Sequence, residues 1–180
     1  SKLYFNNGAG VFTPPAVAPP PDANCYSYDF GDINGDGDLD LIGANASGAG
    51  NNAELTLNND GSGVYTLNPF TGSTVDDNDS KFFDYDNDGD LDVFIARLGG
   101  PERAYTNTDG NGTFALAAGI MTAVSDSTLD IKVADFNGDG RYDIITADVI
   151  LPIYAGSGNL YSAEYFNLMR RELKPGGLVL

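Results

Sequence analysis

Short runs of alternating apolar and polar residues fill most of this chain, and Gly-, Asn- and Asp-rich turns separate them. A period of two over four to eight residues, with branched and aromatic side chains, predicts half-buried β-strands. Residues 26–30, 39–44, 53–57 and 64–67 read as one set of four. Residues 81–83, 91–96, 104–106 and 113–116 read as a second set, and 129–134 with 142–147 as the start of a third. Between the last two strands of each set lies a hairpin signal, an Asn or Asp beside Gly flanked by apolar runs. It occurs at residues 55–65 and 105–114, and once more at residues 3–12, ahead of the first complete set. Residues 13–22 are Pro-rich and predict an exposed loop.

Between the first and second strand of each set comes a second repeat, a nonapeptide dense in acid. The middle copy is Asp84-Tyr85-Asp86-Asn87-Asp88-Gly89-Asp90-Leu91-Asp92. Asp32-Ile33-Asn34-Gly35-Asp36-Gly37-Asp38-Leu39-Asp40 precedes it, and Asp135-Phe136-Asn137-Gly138-Asp139-Gly140-Arg141-Tyr142-Asp143 follows. The starts at 32, 84 and 135 are 52 and 51 residues apart. A four-stranded unit recurring at this period is the sequence signature of a β-propeller blade. The predicted fold class is therefore all-β: about three four-stranded blades, an incomplete propeller, with a short C-terminal helical, α/β-like tail. A propeller closes with roughly 4–8 blades, so open strand edges are expected to meet further blades from missing chain or from self-association.

Oxygen-bearing side chains at positions one, three, five and nine of a curled loop can converge on one point. Gly at position six (Gly37, Gly89, Gly140) permits the turn. Position seven can offer its backbone carbonyl, which tolerates Arg141 there. Such a set suits Ca²⁺ with its 6–8 oxygen ligands better than Mg²⁺, which demands octahedral geometry and keeps more water. An EF-hand would need Glu at position twelve, where this chain has Gly43, Ile95 and Thr146. A solvated acidic turn without metal, and a glycosidase-type carboxylate pair, are the other two readings. Neither explains three acid-rich copies at fixed spacing.

These loops, their period and the LYxNNGxGxF-type hairpin resemble FG-GAP/VCBS repeats, the blades of the integrin-alpha-like β-propeller. The resemblance covers residues 1–147. It implies side-chain calcium ligands at Asp32, Asn34, Asp36 and Asp40, at Asp84, Asp86, Asp88 and Asp92, and at Asp135, Asn137, Asp139 and Asp143. Asp38, Asp90 and Arg141 would add their carbonyls. It further implies a secreted or cell-surface module that binds a protein or glycan in adhesion, and no enzyme activity.

Composition narrows the partners. The chain has 180 residues and a net charge of −17, which argues against nucleic acid. Residues 1–147 hold 23 acids and 6 bases, whereas residues 148–180 hold 3 of each. The absence of His removes His-based catalysis and His metal ligands. The single Cys25 reads as a small core residue. No apolar run is long enough to span a membrane. No signal peptide is visible, and the chain starts on Ser1, so a targeting segment upstream is an expectation.

The tail follows another grammar. Residues 162–174 place Phe166, Met169 and Leu173 at helical spacing, and Pro175-Gly176-Gly177 ends the run before Leu178-Val179-Leu180. Residues 141–180 are similar to a segment of spermidine-synthase-like proteins of the methyltransferase fold, with Asp148 matching a strand-end Asp near the reacting amine. The alternative function is thus a fragment of an aminopropyltransferase fused to propeller repeats. The Gly-rich cofactor loop that such an enzyme needs is missing from this sequence.

Overall fold

The computed structural model of the chain describes residues 3–14, 25–45, 55–69, 76–121 and 126–147. The helix expected at 162–174 and the strand expected at 178–180 lie outside these residues. Every described element is a β-strand, and every pairing is antiparallel.

The chain opens on a two-stranded hairpin, β1 (Phe5–Asn6) with β2 (Phe12–Thr13). The first complete unit is the meander β3 (Cys25–Gly31), β4 (Asp40–Asn45), β5 (Leu55–Asn59) and β6 (Tyr65–Pro69), hydrogen-bonded in that order. The second repeats it with β7 (Asp77–Phe83), β8 (Asp92–Gly100), β9 (Arg103–Asn107) and β10 (Phe114–Leu116). The third unit has β12 (Asp130–Ala134) paired with β13 (Asp143–Ala147). A short strand, β11 (Asp126–Ser127), precedes it and pairs with the far end of β8. Each acidic nonapeptide is the turn between the first two strands of a unit.

The register repeats from unit to unit. Leu41 faces Leu57 across β4 and β5, and Val93 faces Tyr105 across β8 and β9. Alternation along each strand then sends one set of side chains to the preceding unit and the other to the next. Ile42 from the first unit meets Val93, Ile95 and Tyr105 of the second in one buried cluster, against which Phe82 packs. Phe83, Phe94, Ala96 and Ala104 meet Ile131 of the third unit in another, joined by Val133 and Ile144. Tyr142 stands edge-on to Phe83, with ring centroids 6.1 Å apart. Gly31 is small for a reason: a Cβ there would lie 2.5 Å from Leu91 Cδ1 of the second unit.

Two strands are longer than the apolar pattern indicates. β7 begins at Asp77, four residues before the expected start at 81, because its polar residues are satisfied by neighbouring units. Ser27 donates its hydroxyl to Asp79 Oδ1 at 2.7 Å, and the Ile131 N–H donates to Asp79 Oδ2 at 3.0 Å. Asp79 thus joins all three units through one buried carboxylate, with Lys81 Nζ 3.2 Å away. Asp29 does the same between the first two units by accepting the Phe82 N–H at 2.8 Å. β8 runs on to Gly100, where Gly100 and Leu98 pair with β11. Cys25 is half-buried and its thiol donates to the Ser27 carbonyl at 2.9 Å.

Burial pushes the Asp79 carboxyl up, but the Ser27 hydroxyl, the Ile131 N–H and Lys81 together hold it below the ordinary 3.8. A depressed folded-state value contributes stability above the unfolded pKa and loses it as pH falls through the folded one. Asp79→Asn is expected to lower unfolding free energy by about 1–3 kcal/mol at neutral pH, since it leaves buried donors without a charged acceptor. Asp130→Asn, which breaks the exposed Lys132–Asp130 pair, is expected to cost less than about 0.5 kcal/mol. Urea melts check both, and the Asp79→Asn deficit is expected to shrink only below about pH 4. Equal losses for the two variants would contradict a bridging role for Asp79.

Candidate metal centre

Each acidic loop is built around the carboxylate at its first position. Asp32 accepts backbone N–H groups from Gly35 (2.8 Å), Asp36 (3.2 Å) and Gly37 (3.0 Å). Asp84 takes those of Asp88 (3.2 Å) and Gly89 (3.0 Å). Asp135 takes those of Gly138 (2.5 Å), Asp139 (3.1 Å) and Gly140 (2.9 Å), which hold its carboxyl below the usual range. Positions three and five repeat the device on a smaller scale. Asn34 and Asp86 accept the N–H two residues on, as do Asp36, Asp88 and Asp139. The acids are turn formers as well as charges, since Asp and Asn side chains cap their own backbone two residues ahead.

The turn needs left-handed backbone at two places. Position six has it at Gly37 (φ 90°), Gly89 (φ 100°) and Gly140 (φ 84°). Position four has it too, at Gly35 (φ 73°), Gly138 (φ 74°) and, with a side chain, Asn87 (φ 62°). Asn is among the few residues other than Gly that tolerate this region.

In the middle loop the curl brings acidic oxygens together. Asp84, Asp86 and Asp88 each offer a carboxylate oxygen, and these atoms all lie within 4.8 Å of one another. Oxygens sharing one calcium ion at 2.3–2.6 Å can stand at most about 5 Å apart, so this spacing fits a single hard cation. The donors are all oxygen, and Asp86 and Asp88 are open to solvent. That chemistry suits calcium or magnesium and not zinc or copper. In the flanking loops Asn34 and Asn137 stand where Asp86 stands. Asn34 Nδ2 donates to Asp36 at 2.9 Å, while Asn137 Nδ2 donates to Asp143 at 3.2 Å.

Positions seven and nine behave differently from the rest. The Asp38 carboxylate lies against Gly61 in the hairpin of its own unit, and the Asp90 carboxylate against Gly110. Their side chains point to the hairpins. Arg141 is exposed, with its N–H donated to Asp139. Asp40 and Asp92 at position nine are fully buried. Asp40 accepts the Ile33 N–H at 3.1 Å through one oxygen and the Asn59 N–H at 2.7 Å through the other. Asp92 accepts those of Tyr85 at 3.2 Å and Asn107 at 2.8 Å. Each therefore fastens its loop to the start of the following hairpin. Asp143 accepts the Phe136 N–H at 2.9 Å and the Asn137 N–H at 3.2 Å, and its other oxygen takes the Asn137 amide. Burial pushes the Asp92 carboxyl up to about 6, against the pull of the Asn107 and Tyr85 N–H groups, with Asp86 and Asp88 adding to the rise. Asp40 is raised for the same first reason.

Sequence spacing alone placed position nine among equals. Its fastening role has one visible signal, the Asn that begins each hairpin turn. Asn107 also reaches the preceding unit: its Nδ2 donates to the Ile33 carbonyl at 2.9 Å, and its Oδ1 accepts the Gly112 N–H at 3.1 Å.

A family model described as FG-GAP-like repeat matches residues 1–43 and 84–146. No curated protein and no solved structure matches the chain. The matched stretches contain all three acidic loops. The stretch between them is tied in by the pairing of β4 with β5 and of β5 with β6.

Two substitutions separate fastener from cluster. Without added metal, Asp92→Ala strands two buried N–H groups and is expected to destabilise the fold by about 2–4 kcal/mol. Asp86→Ala removes one exposed member of a like-charge cluster and is expected to change stability by less than about 0.5 kcal/mol, or to raise it. Denaturant melts in a chelator decide, and a larger loss for Asp86→Ala would contradict the assignment.

Proposed function

The chain belongs to the FG-GAP-like repeat family, and on that premise we propose that it is a calcium-binding β-propeller module that binds a protein or carbohydrate outside the cell. The observation that carries this reading is the convergence of Asp84, Asp86 and Asp88 on one point of a loop whose curvature its own amides set. In that loop Asp84, Asp86 and Asp88 would hold the ion, with Asp92 and the Asp90 carbonyl beside them. Asp32, Asn34, Asp36, Asp38 and Asp40 would serve in the first loop, and Asp135, Asn137, Asp139, Arg141 and Asp143 in the third. Calcium supplies the positive charge that such a cluster lacks, and so stiffens the turn.

The residues supply everything else. Position one curls the loop, position six lets it turn, and position nine anchors it to the hairpin. The module's work is then binding, not chemistry. The net charge of −17 agrees with a calcium-rich setting, and millimolar calcium outside cells keeps weak oxygen sites filled. Among the described residues no helix is long and apolar enough to cross a membrane. The blade loops present the surface on which an adhesive partner would sit.

Calcium that binds only the folded state raises its stability by mass action. At ten times the dissociation constant the gain is about 1.4 kcal/mol per site, or about 3–6 °C in Tm for a chain of this size. Scanning calorimetry in a chelator and then in millimolar calcium, with ionic strength matched by sodium chloride, is expected to show that rise. Asp86→Ala and Asp88→Ala are each expected to lose one site's share of it. An unchanged Tm would overturn the calcium reading.

A further inference from the structure

Asn107 touches two of the acidic loops at once. It opens the hairpin of the second unit and is 1% exposed, so its side-chain amide is sealed from water. Its backbone N–H goes to Asp92, the ninth residue of the second loop, at 2.8 Å. Its Nδ2 goes to the carbonyl of Ile33, the second residue of the first loop, at 2.9 Å. Its Oδ1 accepts the Gly112 N–H across the hairpin at 3.1 Å. We propose that Asn107 is a positioning residue that couples the first two loops, so that a divalent cation held in one raises the affinity of the other. This coupling rests on the calcium reading of the same loops and concerns how their filling is regulated.

The bond reaches the first loop where its candidate ligands are set. Ile33 stands between Asp32 and Asn34. Asp40 holds the Ile33 N–H at 3.1 Å and Asn107 holds its carbonyl, so the peptides on both sides of Ile33 are fixed. The Ile33 side chain is buried as well, and a Cβ on Gly112 would lie 3.0 Å from its Cδ1. Asn68, in the last strand of the first unit, donates Nδ2 to the Gly112 carbonyl at 3.1 Å. The hairpin of the second unit is thus seated on the first unit through Asn107 and Gly112. Asn59, the counterpart of Asn107 in the first unit, shows what the seat adds. It makes the same backbone bond, to Asp40 at 2.7 Å, and accepts the Gly63 N–H at 3.3 Å. Its Nδ2, however, goes to the Leu39 carbonyl of its own unit at 3.2 Å. The link from Asn107 to Ile33 is therefore an addition to the bonding that the hairpin itself requires.

Coupling follows from the burial of that link. A buried amide that loses a partner carries the cost of the unmade bond. The hairpin accordingly seats fully only when both loops hold their curl. Like charges at positions one, three and five oppose the curl in each loop, and a bound cation removes that opposition. The loop that fills first brings the hairpin into its seat, and the other loop then binds with part of its ordering already done. The second loop carries three carboxylates at these positions, Asp84, Asp86 and Asp88, whereas the first carries two, Asp32 and Asp36, with the Asn34 amide between them. Affinity for calcium rises with ligand charge, so the second loop fills first and presets the first. Linkage makes the effect reciprocal, and couplings between sites run from about 5- to 150-fold. One buried hydrogen bond puts this one at the low end, about fivefold.

The test is calcium titration calorimetry on the 180-residue chain, with the third loop disabled by Asp139→Ala. Adding Asp88→Ala leaves the first loop, and adding Asp36→Ala leaves the second. All three side chains are exposed, so the variants keep the fold. The two-site chain is expected to show an overall association constant about fivefold above the product of the two single-site constants. Asn107→Ala keeps the backbone bond to Asp92 and is expected to bring that ratio to one. Hydrogen exchange adds a readout that leaves Asn107 in place. In the chain carrying Asp88→Ala and Asp139→Ala, calcium in the first loop is expected to slow exchange of the Gly112 amide, which lies in the hairpin of the second unit. A ratio of one in the two-site chain, or Gly112 exchange that ignores calcium, would overturn the coupling and leave the calcium sites standing. A ratio that survives Asn107→Ala would overturn the role of Asn107. No calcium binding in any of these chains would overturn the calcium reading, and the coupling with it.

Discussion

A buried carboxylate at the end of each of the first two acidic loops holds its unit together. Asp40 and Asp92 are sealed from water, and each uses one oxygen for an N–H of its own loop and the other for the first N–H of the hairpin turn. Burying a charge is costly unless hydrogen bonds replace its hydration. Here the replacement donors come from two segments, so the loop cannot relax without the hairpin moving too. The exposed acids of the loop are positioned by this anchor. Asp84, Asp86 and Asp88 converge because the chain between Asp84 and Asp92 is fixed at both ends.

The same chemistry joins one unit to the next. Asp29 takes an N–H from the second unit, and Asp79 takes a hydroxyl from the first and an N–H from the third. Apolar clusters fill the space around these bonds, one centred on Ile42, Val93 and Tyr105 and one on Phe94 and Ile131. An acidic chain can thus stack sheets tightly, because many of its carboxylates accept backbone N–H groups instead of facing one another. Stacked repeats of this kind gain stability mainly from neighbour contacts, and end units lacking a neighbour keep apolar surface exposed. Among the described residues, Phe30, Leu39 and Ile145 keep such surface exposed.

Much of the fold was legible in the sequence. The turns at 32, 84 and 135 follow from the nonapeptide, the hairpins from Asn and Gly between apolar runs, and the sharp bend from Gly37, Gly89 and Gly140. The polar start of β7 was not legible. Asp77, Asn78, Asp79 and Ser80 look like loop residues, and what makes them strand is a set of partners about fifty residues away in Ser27, Thr128 and Ile131. Nor does periodicity separate Asp92 from Asp86. Both are acids at odd positions, yet one is buried between segments and the other faces solvent. Among the aromatic residues, Tyr105, Phe94 and Phe83 are blade core. Phe12, Tyr26 and Phe30 are exposed among the described residues.

Hydrogen exchange at two backbone amides, Asn59 and Asn107, tests the anchoring carboxylates most directly. If Asp40 and Asp92 close their units, both amides exchange as slowly as the central strand amides of β4 and β8, because opening them requires the loop and hairpin to part. Exchange at the rate of free turn residues, with β4 and β8 still protected, would contradict it.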